Sequence, residues 1–200
     1  NKKEILKHSK RKINNIFNKK KCLKIINVGR YVDQKDQITL LKSLNLLKNK
    51  INFSAVIIGH GILKNYLKKY IYKNNMQNKI KLIDFKNNPY PFIKQADLFV
   101  LSSKYEGLPN VVLEAMVLKK FVISSACPTG PKEILMDGKL GFLFKVGNYN
   151  KLAEKIFNYS KNKTRYNKNT KYAYRMLHRF DYELNLKKYL KSVNSLIKIT

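Results

Sequence analysis

The sequence predicts one α/β domain in which a parallel sheet is covered by helices on both faces, the doubly wound arrangement. Three observations predict it. Short apolar segments alternate with longer amphipathic segments from Cys22 to about residue 160. The apolar segments have apolar side chains on both faces, as strands buried in a parallel sheet do. Several of them end at Gly or Ser, where a turn commonly begins.

Each apolar segment is a predicted strand, and each segment between two of them is a predicted helix. The predicted strands are residues 23–28, 53–58, 79–85, 97–103, 121–125 and 141–144. The predicted helices lie near residues 36–48, 62–75, 89–95, 109–119, 131–136 and 148–160. Ligands of a doubly wound sheet bind at the carboxyl ends of its strands, so functional residues are expected in the loops that follow them.

The two ends of the chain differ from the alternating part, residues 22–165. Residues 1–21 are polar and basic without a strong period, which predicts a linker or arm. Residues 166–200 have no strand signal and are predicted to be helical. Their last segment, 180–199, has apolar residues on roughly one face of an amphipathic helix. These residues are Leu184, Leu186, Tyr189, Leu190, Val193, Leu196 and Ile197.

The composition is that of a globular protein with an extreme positive charge. The 200 residues are 44% hydrophobic, enough for a core, and the formal net charge is +30. Such a charge suggests nucleic acid, but only five of the 42 basic residues are Arg, and Lys is a poor substitute for Arg in bidentate recognition. A general attraction to anionic surfaces, phospholipid head groups included, is expected instead. Two distant cysteines without metal-ligand spacing indicate reduced thiols in a cytoplasmic protein.

The loop after the first predicted strand carries two cations. In NVGRYVDQKD, residues 27–36, a glycine turn follows the strand, and Arg30 and Lys35 lie beyond it. A planar guanidinium and an ammonium group at the ligand edge of the sheet suit a diphosphate. The alternative is a pair of solvated loop cations, and for Lys35 this is a serious rival in so lysine-rich a chain.

The segment VVLEAMVL, residues 111–118, places a carboxylate in an otherwise apolar helix. A helix that is apolar nearly all round is a buried helix. An ionised carboxylate buried without partners is strongly destabilising, so Glu114 must find donors inside the protein or face a cleft where a ligand supplies them. The vicinal hydroxyls of a ribose are such donors. A core acid bonded to backbone amides is the other interpretation, and it stays open here.

A second carboxylate, Glu106, lies just before that helix. Pro109 follows it at a position that is favoured in the first turn of a helix, where free backbone N–H groups can bind an anion or a hydroxyl. Two carboxylates and a helix amino end are therefore expected to converge on one cleft. The turn IIGHG, residues 57–61, is a weak signal of nucleotide binding, and His60 within it is interpreted as a turn residue.

Four segments together resemble the C-terminal, donor-binding domain of glycosyltransferase family 4, which has the GT-B fold. They are INVGRYVDQKD, IIGHG, SSKYEGLPNVVLEAM and ACPTGPKEILMDGKLGFLF, and the resemblance runs from about Cys22 through the closing FDYELNLKKYL. The two glutamates with seven residues between them are its most specific element. The resemblance implies a Rossmann-like sheet domain that forms one half of a GT-B enzyme.

The resemblance also implies roles for individual residues. Arg30 and Lys35 match the basic pair that neutralises the diphosphate of the donor, which is expected to be a UDP-sugar. Glu106 matches the first glutamate, which holds the donor sugar near its reacting carbon and is the expected catalytic residue. Glu114 matches the second glutamate, which binds the ribose hydroxyls. The remaining expected donor-binding residues are Gly107, Leu108, Pro109 and Asn110 beside the sugar, and Phe85 and Lys86 beside the base.

Similar enzymes retain the anomeric configuration and need no divalent metal, and this chain lacks an Asp-x-Asp metal motif. The resemblance places them in bacterial surface polysaccharide or lipid-linked glycan synthesis, at the inner face of the cytoplasmic membrane. The expected partners are a nucleotide-sugar donor, a glycan or lipid-linked acceptor and an anionic membrane surface, with no specific nucleic acid.

A family member also has an N-terminal domain that binds the acceptor, and this chain has no counterpart of it. The chain is therefore expected to be the donor half of a hexosyltransferase, with little activity alone. Two other functions stay open. One is a nucleotide-sugar epimerase of similar fold, and the other is a non-catalytic basic module that binds nucleic acid or anionic lipid.

Overall fold

A computed structural model describes residues 2–17 and 21–197 of the chain. Within these ranges six strands form one sheet with the order β3-β2-β1-β4-β5-β6, and all neighbouring strands are parallel. The strands are β1 Leu23–Val28, β2 Phe53–Ile58, β3 Ile80–Ile83, β4 Leu98–Leu101, β5 Phe121–Ser125 and β6 Phe142–Phe144. The predicted fold class, a doubly wound parallel sheet, is confirmed.

The direction of winding reverses between β1 and β4. The strands β2 and β3 lie on one side of β1, and β4, β5 and β6 lie on the other, which leaves a crevice at the carboxyl ends of the strands. β1 pairs with β2 along its whole length but with β4 only at Ile25 and Ile26. Beyond them, the side-chain Nδ2 of Asn27 donates to the carbonyl oxygen of Val100 at 2.8 Å. The ladder between the two central strands thus ends short of the carboxyl edge.

Helices cover both faces of the sheet. They are α1 Lys2–His8, α2 Gln37–Leu47, α3 Lys64–Lys73, α4 Tyr90–Gln95, α5 Asn110–Val117, α6 Pro131–Ile134, α7 Tyr149–Lys161, α8 Lys163–Met176 and α9 Tyr182–Ile197, with short 3-10 turns at Asp33–Lys35 and Leu177–Phe180. Each predicted strand and helix of the alternating part is present. The predicted strands 79–85 and 97–103 are longer than β3 and β4, because their last residues form the loops of the crevice.

Two apolar cores lie on opposite faces of the sheet. Side chains alternate along a strand, so Ile25 packs into one core and Ile26 into the other, and both are fully buried. The first core is closed by α2, α3 and α7, and the second by α4, α5 and α8. Burial on both faces explains why the strands are continuous apolar segments rather than alternating ones.

The amino-terminal arm is partly ordered against the second core. Residues 2–8 of the predicted arm form α1, which contacts α4 and α5, while residues 1 and 18–20 lie outside the described residues. Phe17 is buried, and Gln95 Nε2 donates to the carbonyl oxygen of Asn14 at 3.2 Å. A helix of seven residues is too short to show a period in the sequence, and packing rather than local preference stabilises it.

The carboxyl-terminal region contains two helices, of which sequence analysis located only the second. The buried side of α8 includes the small residues Thr170 and Ala173, so its apolar period is weak. The amphipathic helix α9 occupies Tyr182–Ile197, and its Leu186 and Leu190 are 40% and 48% exposed. The side chains of residues 196–197 lie outside the described ones. None of the helices described is long and apolar enough to span a membrane.

Candidate functional site

A cleft of about 550 Å³ opens at the carboxyl edge of the sheet. The loops after β1, β2, β3 and β4 and the amino-terminal half of α5 form its walls. It lies at the reversal of strand order, where a doubly wound fold is expected to bind its ligand.

Nine of the ten residues predicted from the sequence line this cleft. They are Arg30, Lys35, Phe85, Lys86, Glu106, Leu108, Pro109, Asn110 and Glu114. The tenth, Gly107, lies exposed in the same loop but outside the cleft wall. The nine come from three parts of the chain, after β1, after β3 and after β4, and the topology of the sheet brings them together.

A buried tyrosine fixes the loop after β1. The hydroxyl of Tyr31 lies 2.8 Å from the carbonyl oxygen of Ile57 and 2.7 Å from that of Ile83, and the two oxygens share its single proton. The backbone N–H of Tyr31 donates to the carbonyl oxygen of His60 at 2.7 Å. Burial raises the pKa of Tyr31 well above its ordinary value, so the hydroxyl stays a donor. One side chain thus ties the loop after β1 to the ends of β2 and β3.

The glycines of the IIGHG turn let two loops of the cleft touch. A Cβ on Gly59 would lie 2.0 Å from the carbonyl oxygen of Gly29. A Cβ on Gly61, whose φ is +145°, would lie 2.5 Å from the carbonyl oxygen of Tyr31. Any side chain at either glycine would displace the loop that carries Arg30. The close packing of the two loops is therefore the physical reason for the two glycines of IIGHG.

Arg30 lies exposed at the rim with its backbone fixed and its guanidinium available. Its carbonyl oxygen accepts a hydrogen bond from Gln37 Nε2 at 2.8 Å. Within residues 2–17 and 21–197, no side chain or carbonyl group forms a hydrogen bond or ion pair with its guanidinium. A guanidinium held at the mouth of a cleft without a protein partner is suited to an anionic ligand.

Lys35 and Glu106 form an ion pair inside the cleft. The distance from Lys35 Nζ to Glu106 Oε1 is 2.6 Å, and the two side chains are 17% and 6% exposed. The hydroxyl of Ser103 donates to the same oxygen, also at 2.6 Å. Sequence analysis assigned the two charged residues to different parts of a ligand and did not predict their pairing, because 71 positions separate them.

The loop after β5 supports the loop that carries Glu106. The hydroxyl of Thr129 donates to the backbone carbonyl oxygen of Glu106. Gly130 has a φ of +75°, and a Cβ there would lie 1.9 Å from the carbonyl oxygen of Gly107 and 2.6 Å from Pro109 Cδ. The two loops therefore pack backbone to backbone, and only glycine fits at Gly130.

Helix α5 begins at Asn110, directly at the cleft. Pro109 precedes its first turn, and no described side chain caps that end of the helix. Its opposite side is buried in the second core through Val112, Ala115, Met116 and Val117. The burial of that side leaves Glu114 on the side that faces the cleft.

Glu114 is half-buried and has one hydrogen-bond partner among the described residues. Its Oε1 accepts a hydrogen bond from the hydroxyl of Tyr90 at 3.2 Å. Burial raises the pKa of Glu114 above its ordinary value, and the bond from Tyr90 partly offsets that rise. Burial, and after it the nearby carboxylate, raises the pKa of Tyr90. The interpretation of Glu114 as a core acid bonded to backbone amides is wrong.

Two aromatic rings line the part of the cleft next to β2 and β3. The rings of His60 and Phe85 are in an edge-to-face arrangement with centroids 5.4 Å apart, and the Phe85 side chain is 57% exposed. Sequence analysis treated His60 as a turn residue and did not consider Tyr90, yet both line the cleft. A signal for His60 was present, since it lies between two glycines directly after a strand.

The described part of the chain contains no cluster of three or more His, Cys, Asp or Glu side chains that could hold a metal ion. The cleft is lined by three cationic side chains and two carboxylates. They are Arg30, Lys35, Lys86, Glu106 and Glu114. This arrangement provides ligands for an anion and acceptors for hydroxyl groups.

The sequence profile of the family described as "Glycosyl transferases group 1" matches residues 8–176. A glycosyltransferase of Methanocaldococcus jannaschii, itself uncharacterized, is 45% identical over 122 residues, which are 60% of this chain and 30% of the relative. An N-acetylgalactosaminyltransferase of Campylobacter jejuni, whose name gives a diphospho-undecaprenol-linked substrate, is 31% identical over 130 residues, 65% of this chain and 35% of the relative. The chain spans about a third of the length of these relatives.

Solved structures show the same fold. A glycosyltransferase of Rickettsia africae superposes with a TM-score of 0.81 at 21% identity and covers 91% of this chain and 50% of that one. Anabaena HepE in complex with UDP has a TM-score of 0.78 at 21% identity, with coverages of 87% and 49%. TarM of S. aureus, also in complex with UDP, has a TM-score of 0.79 at 25% identity, with coverages of 90% and 37%. By its sequence profile and its fold, the chain belongs to the group 1 glycosyl transferases.

Proposed function

We propose that the chain is the donor-binding half of a retaining glycosyltransferase that uses a nucleotide-diphosphate sugar. One observation carries the proposal. An arginine whose guanidinium has no partner among the described residues, a lysine and two carboxylates from separate parts of the chain share one cleft at the switch point of the sheet. A surface that binds polyanions in general gives no reason for two acids in such a cleft.

The diphosphate of the donor binds near Arg30 and Lys35. The Arg30 guanidinium supplies two parallel donors, and the uncapped amino end of α5 adds the positive end of a helix dipole. No metal is required in this proposal, because these groups stabilise the negative charge that develops on the departing diphosphate.

The ribose binds at Glu114. Among the residues that the structure describes, the carboxylate has one donor, the Tyr90 hydroxyl, and it opens into the cleft. Each carboxylate oxygen can accept more than one hydrogen bond, so two vicinal hydroxyls fit the remaining acceptor capacity. Bonds from these hydroxyls would offset the cost of burial that raises the pKa of Glu114.

The sugar and the base occupy the two ends of the cleft. Glu106 and the backbone from Leu108 to Asn110 contact the sugar, and Phe85 and Lys86 flank the base. We propose uracil as the base, and the support is that two structurally similar proteins, HepE and TarM, are complexes with UDP.

The acceptor is a glycan or a lipid-linked glycan of a bacterial surface polysaccharide. Supporting this, the C. jejuni relative is named for a lipid-linked substrate, and a relative in Staphylococcus aureus is a poly(ribitol-phosphate) α-N-acetylglucosaminyltransferase. A chain of charge +30 would be held at the anionic inner face of the plasma membrane, close to a lipid-borne acceptor. An N-terminal domain that packs against α9 would bind this acceptor, so the 200 residues alone transfer sugar poorly.

A ligand panel tests the proposal. Calorimetry would compare UDP, GDP, UDP-glucose and UDP-N-acetylglucosamine on the wild type, Arg30→Ala and Glu114→Ala. Each substitution removes bonds to a charged group, so UDP affinity is expected to fall about 10- to 100-fold. Lys104→Ala, in an exposed ion pair with Asp33 outside the cleft, is the control and should bind as the wild type does.

Two outcomes would overturn the proposal. One is RNA or lipid binding that depends steeply on salt and is unaffected by Arg30→Ala and Glu114→Ala, together with no nucleotide binding. The other is interconversion of the sugar on UDP-glucose without any acceptor, which would assign the cleft to an epimerase.

A further inference from the structure

Two consecutive serines lie beneath the cleft, directly after β4. Ser102 and Ser103 are both fully buried. The hydroxyl of Ser102 donates to the backbone carbonyl oxygen of Lys35 at 3.1 Å, and the hydroxyl of Ser103 donates to Glu106 Oε1 at 2.6 Å. Two adjacent serines thus contact two different charged residues of the site. Ser102 binds the backbone of Lys35, and Ser103 binds the carboxylate of Glu106.

We propose that Ser103 is a positioning residue that fixes the Glu106 carboxylate for recognition of the donor sugar. Ser102, in contrast, fixes the loop of Lys35 and hence the diphosphate end. The inference rests on the proposed function, since it assigns Ser103 to the sugar end of the same cleft.

The bonding of the carboxylate supports a positioning role. Glu106 Oε1 accepts from both Lys35 Nζ and Ser103 Oγ, while no described residue donates to Oε2. With one oxygen bonded from two directions, rotation about the last side-chain torsion is restricted. The second oxygen is left for a ligand hydroxyl, for which a carboxylate is a strong acceptor.

The backbone of Ser103 is itself fixed from below. Its carbonyl oxygen accepts bonds from the Ser125 hydroxyl at 2.6 Å and from Cys127 Sγ at 3.1 Å, and both donors are fully buried. The serine is therefore attached to β5 and cannot follow the carboxylate if Glu106 moves. A fixed donor behind a functional carboxylate is what precise positioning requires.

Ser103 becomes more important when the donor is bound. A diphosphate beside Arg30 attracts the Lys35 ammonium away from Glu106, because both anions compete for one cation. The Ser103 hydroxyl is neutral and buried, so it stays on Glu106 Oε1 in either state. Without it, Glu106 would lose its orientation when the sugar arrives.

The experiment measures the sugar ratio, defined as the Kd of a UDP-sugar divided by the Kd of UDP, by calorimetry on the whole chain. UDP-glucose and UDP-N-acetylglucosamine are the probes. Ser103→Ala is expected to raise the ratio about tenfold, the value of one hydrogen bond to a charged group, with UDP itself little changed. Ser102→Ala should weaken UDP and UDP-sugar alike and leave the ratio unchanged.

Ser43→Ala is the matched control, because Ser43 is equally buried and donates only to Leu40 O within α2. Its ratio should equal that of the wild type. In a Glu106→Gln background, Ser103→Ala should raise the ratio less than it does in the wild type, because the serine acts through that carboxylate.

Each result decides a separate claim. An unchanged ratio in Ser103→Ala, or equal changes in the two serine variants, would overturn the positioning role while the proposed function stands. A wild type that binds neither UDP nor either UDP-sugar would overturn the proposed function and the inference with it. A cooperative thermal unfolding transition is the check that each variant is folded.

Discussion

The two glutamates of the cleft have opposite surroundings. Glu106 lies in a loop with a lysine and a serine bonded to one of its oxygens and with a 6% exposed side chain. Glu114 lies half-buried in a helix, and the Tyr90 hydroxyl is its one hydrogen-bond donor among the described residues. Burial raises the pKa of Glu114. The same functional group thus has one oxygen fixed by two donors at one position and only a single donor from the described residues eight positions later.

The difference follows from the elements that carry the two acids. A loop that leaves a strand edge can fold its side chain back onto the other loops of that edge, and Glu106 finds its donors there, in Ser103 after β4 and Lys35 after β1. A helix that is buried on one side offers its cleft-facing residue only what lies across the cleft, which for Glu114 is Tyr90. One acid is therefore oriented before a ligand arrives, and the other depends on the ligand for its remaining hydrogen bonds.

The largest expected effect comes from separating the loop of Glu106 from its support. In Gly130→Ala, the new Cβ would overlap the carbonyl oxygen of Gly107 and strain a φ of +75°. Strain and overlap together are expected to lower the free energy of unfolding by about 4 kcal/mol, and nucleotide binding should be lost. Urea unfolding and calorimetry measure the two effects.

Gly107→Ala is the matched control for that substitution. A Cβ on Gly107 has no heavy atom within 4 Å, so the variant should be as stable as the wild type. If Gly130→Ala were equally stable, the two loops would not be packed as the structure shows.

A second substitution makes the surroundings of Glu106 resemble those of Glu114. Lys35→Met removes the cation from an ion pair that is mostly buried, so Glu106 keeps only the Ser103 hydroxyl. The free energy of unfolding at neutral pH is expected to fall by about 3 kcal/mol, because a buried charge loses its partner. The double variant Lys35→Met, Glu106→Gln should recover part of that loss in urea unfolding.

The exposed pair of Lys104 and Asp33 provides the comparison for Lys35→Met. Lys104→Met should leave stability unchanged, because water already solvates both charges of the Lys104–Asp33 pair. A loss as large in Lys104→Met as in Lys35→Met would contradict the claim that burial makes the difference.

The third prediction concerns Glu114 and pH. Its pKa is higher in the folded chain than the ordinary value of 4.5, so the folded state holds the proton more tightly than the unfolded state. The contribution of Glu114 to the stability of the wild type therefore falls as pH rises from 4.5 through the folded pKa. Glu114→Gln does not titrate, so it should be more stable than the wild type at neutral pH and nearly equal at about pH 4.

Glu114→Gln should also weaken the binding of UDP. An amide offers one acceptor oxygen where the carboxylate offers two, so UDP affinity is expected to fall about tenfold. Thermal unfolding across pH tests the change in stability, and calorimetry tests the change in UDP affinity. Glu154→Gln, in an exposed pair with Lys151, is the control and should show neither effect. A Glu114→Gln variant that is less stable at neutral pH would mean that Glu114 is satisfied within the protein.

The fold was predictable because each strand is buried on both faces. Continuous apolar segments gave the bounds of β1, β2 and β5 to the residue, and the amphipathic segments gave the helices between them. Helix α1 was not predictable in this way, because the second core rather than its own sequence stabilises it. The buried side of α8 depends on small residues, which carry no clear period.

The members of the site were largely predictable, and their partners were not. Strand ends and a helix start place Arg30, Glu106 and Glu114 at one edge, since parallel strands all end there. The bond from Tyr90 to Glu114 spans 24 positions and the pair of Lys35 and Glu106 spans 71. Such contacts are set by how loops cross the edge, and spacing along the chain does not encode them.

The smallest expected effect comes from removing the Tyr90 hydroxyl that donates to Glu114. Tyr90→Phe removes the hydrogen bond that Glu114 receives from a described residue, and the free energy of unfolding at neutral pH should fall by about 0.5 to 1 kcal/mol. The bond from Tyr90 lowers the pKa of Glu114, so the variant should raise that pKa further. The difference in stability should therefore shrink as pH falls through the folded pKa, because a neutral carboxyl group depends less on the lost donor.

Tyr70→Phe is the control for Tyr90→Phe. Tyr70 is also half-buried, and its hydroxyl donates to no residue that the structure describes, so stability should not change with this substitution at acidic or neutral pH, where the hydroxyl stays protonated. If Tyr90→Phe behaved like Tyr70→Phe in thermal unfolding, water would already satisfy Glu114 in the empty cleft. The two glutamates would then differ only in the ion pair that Glu106 forms with Lys35. Ribose hydroxyls bound at Glu114 would replace water molecules that already donate to it.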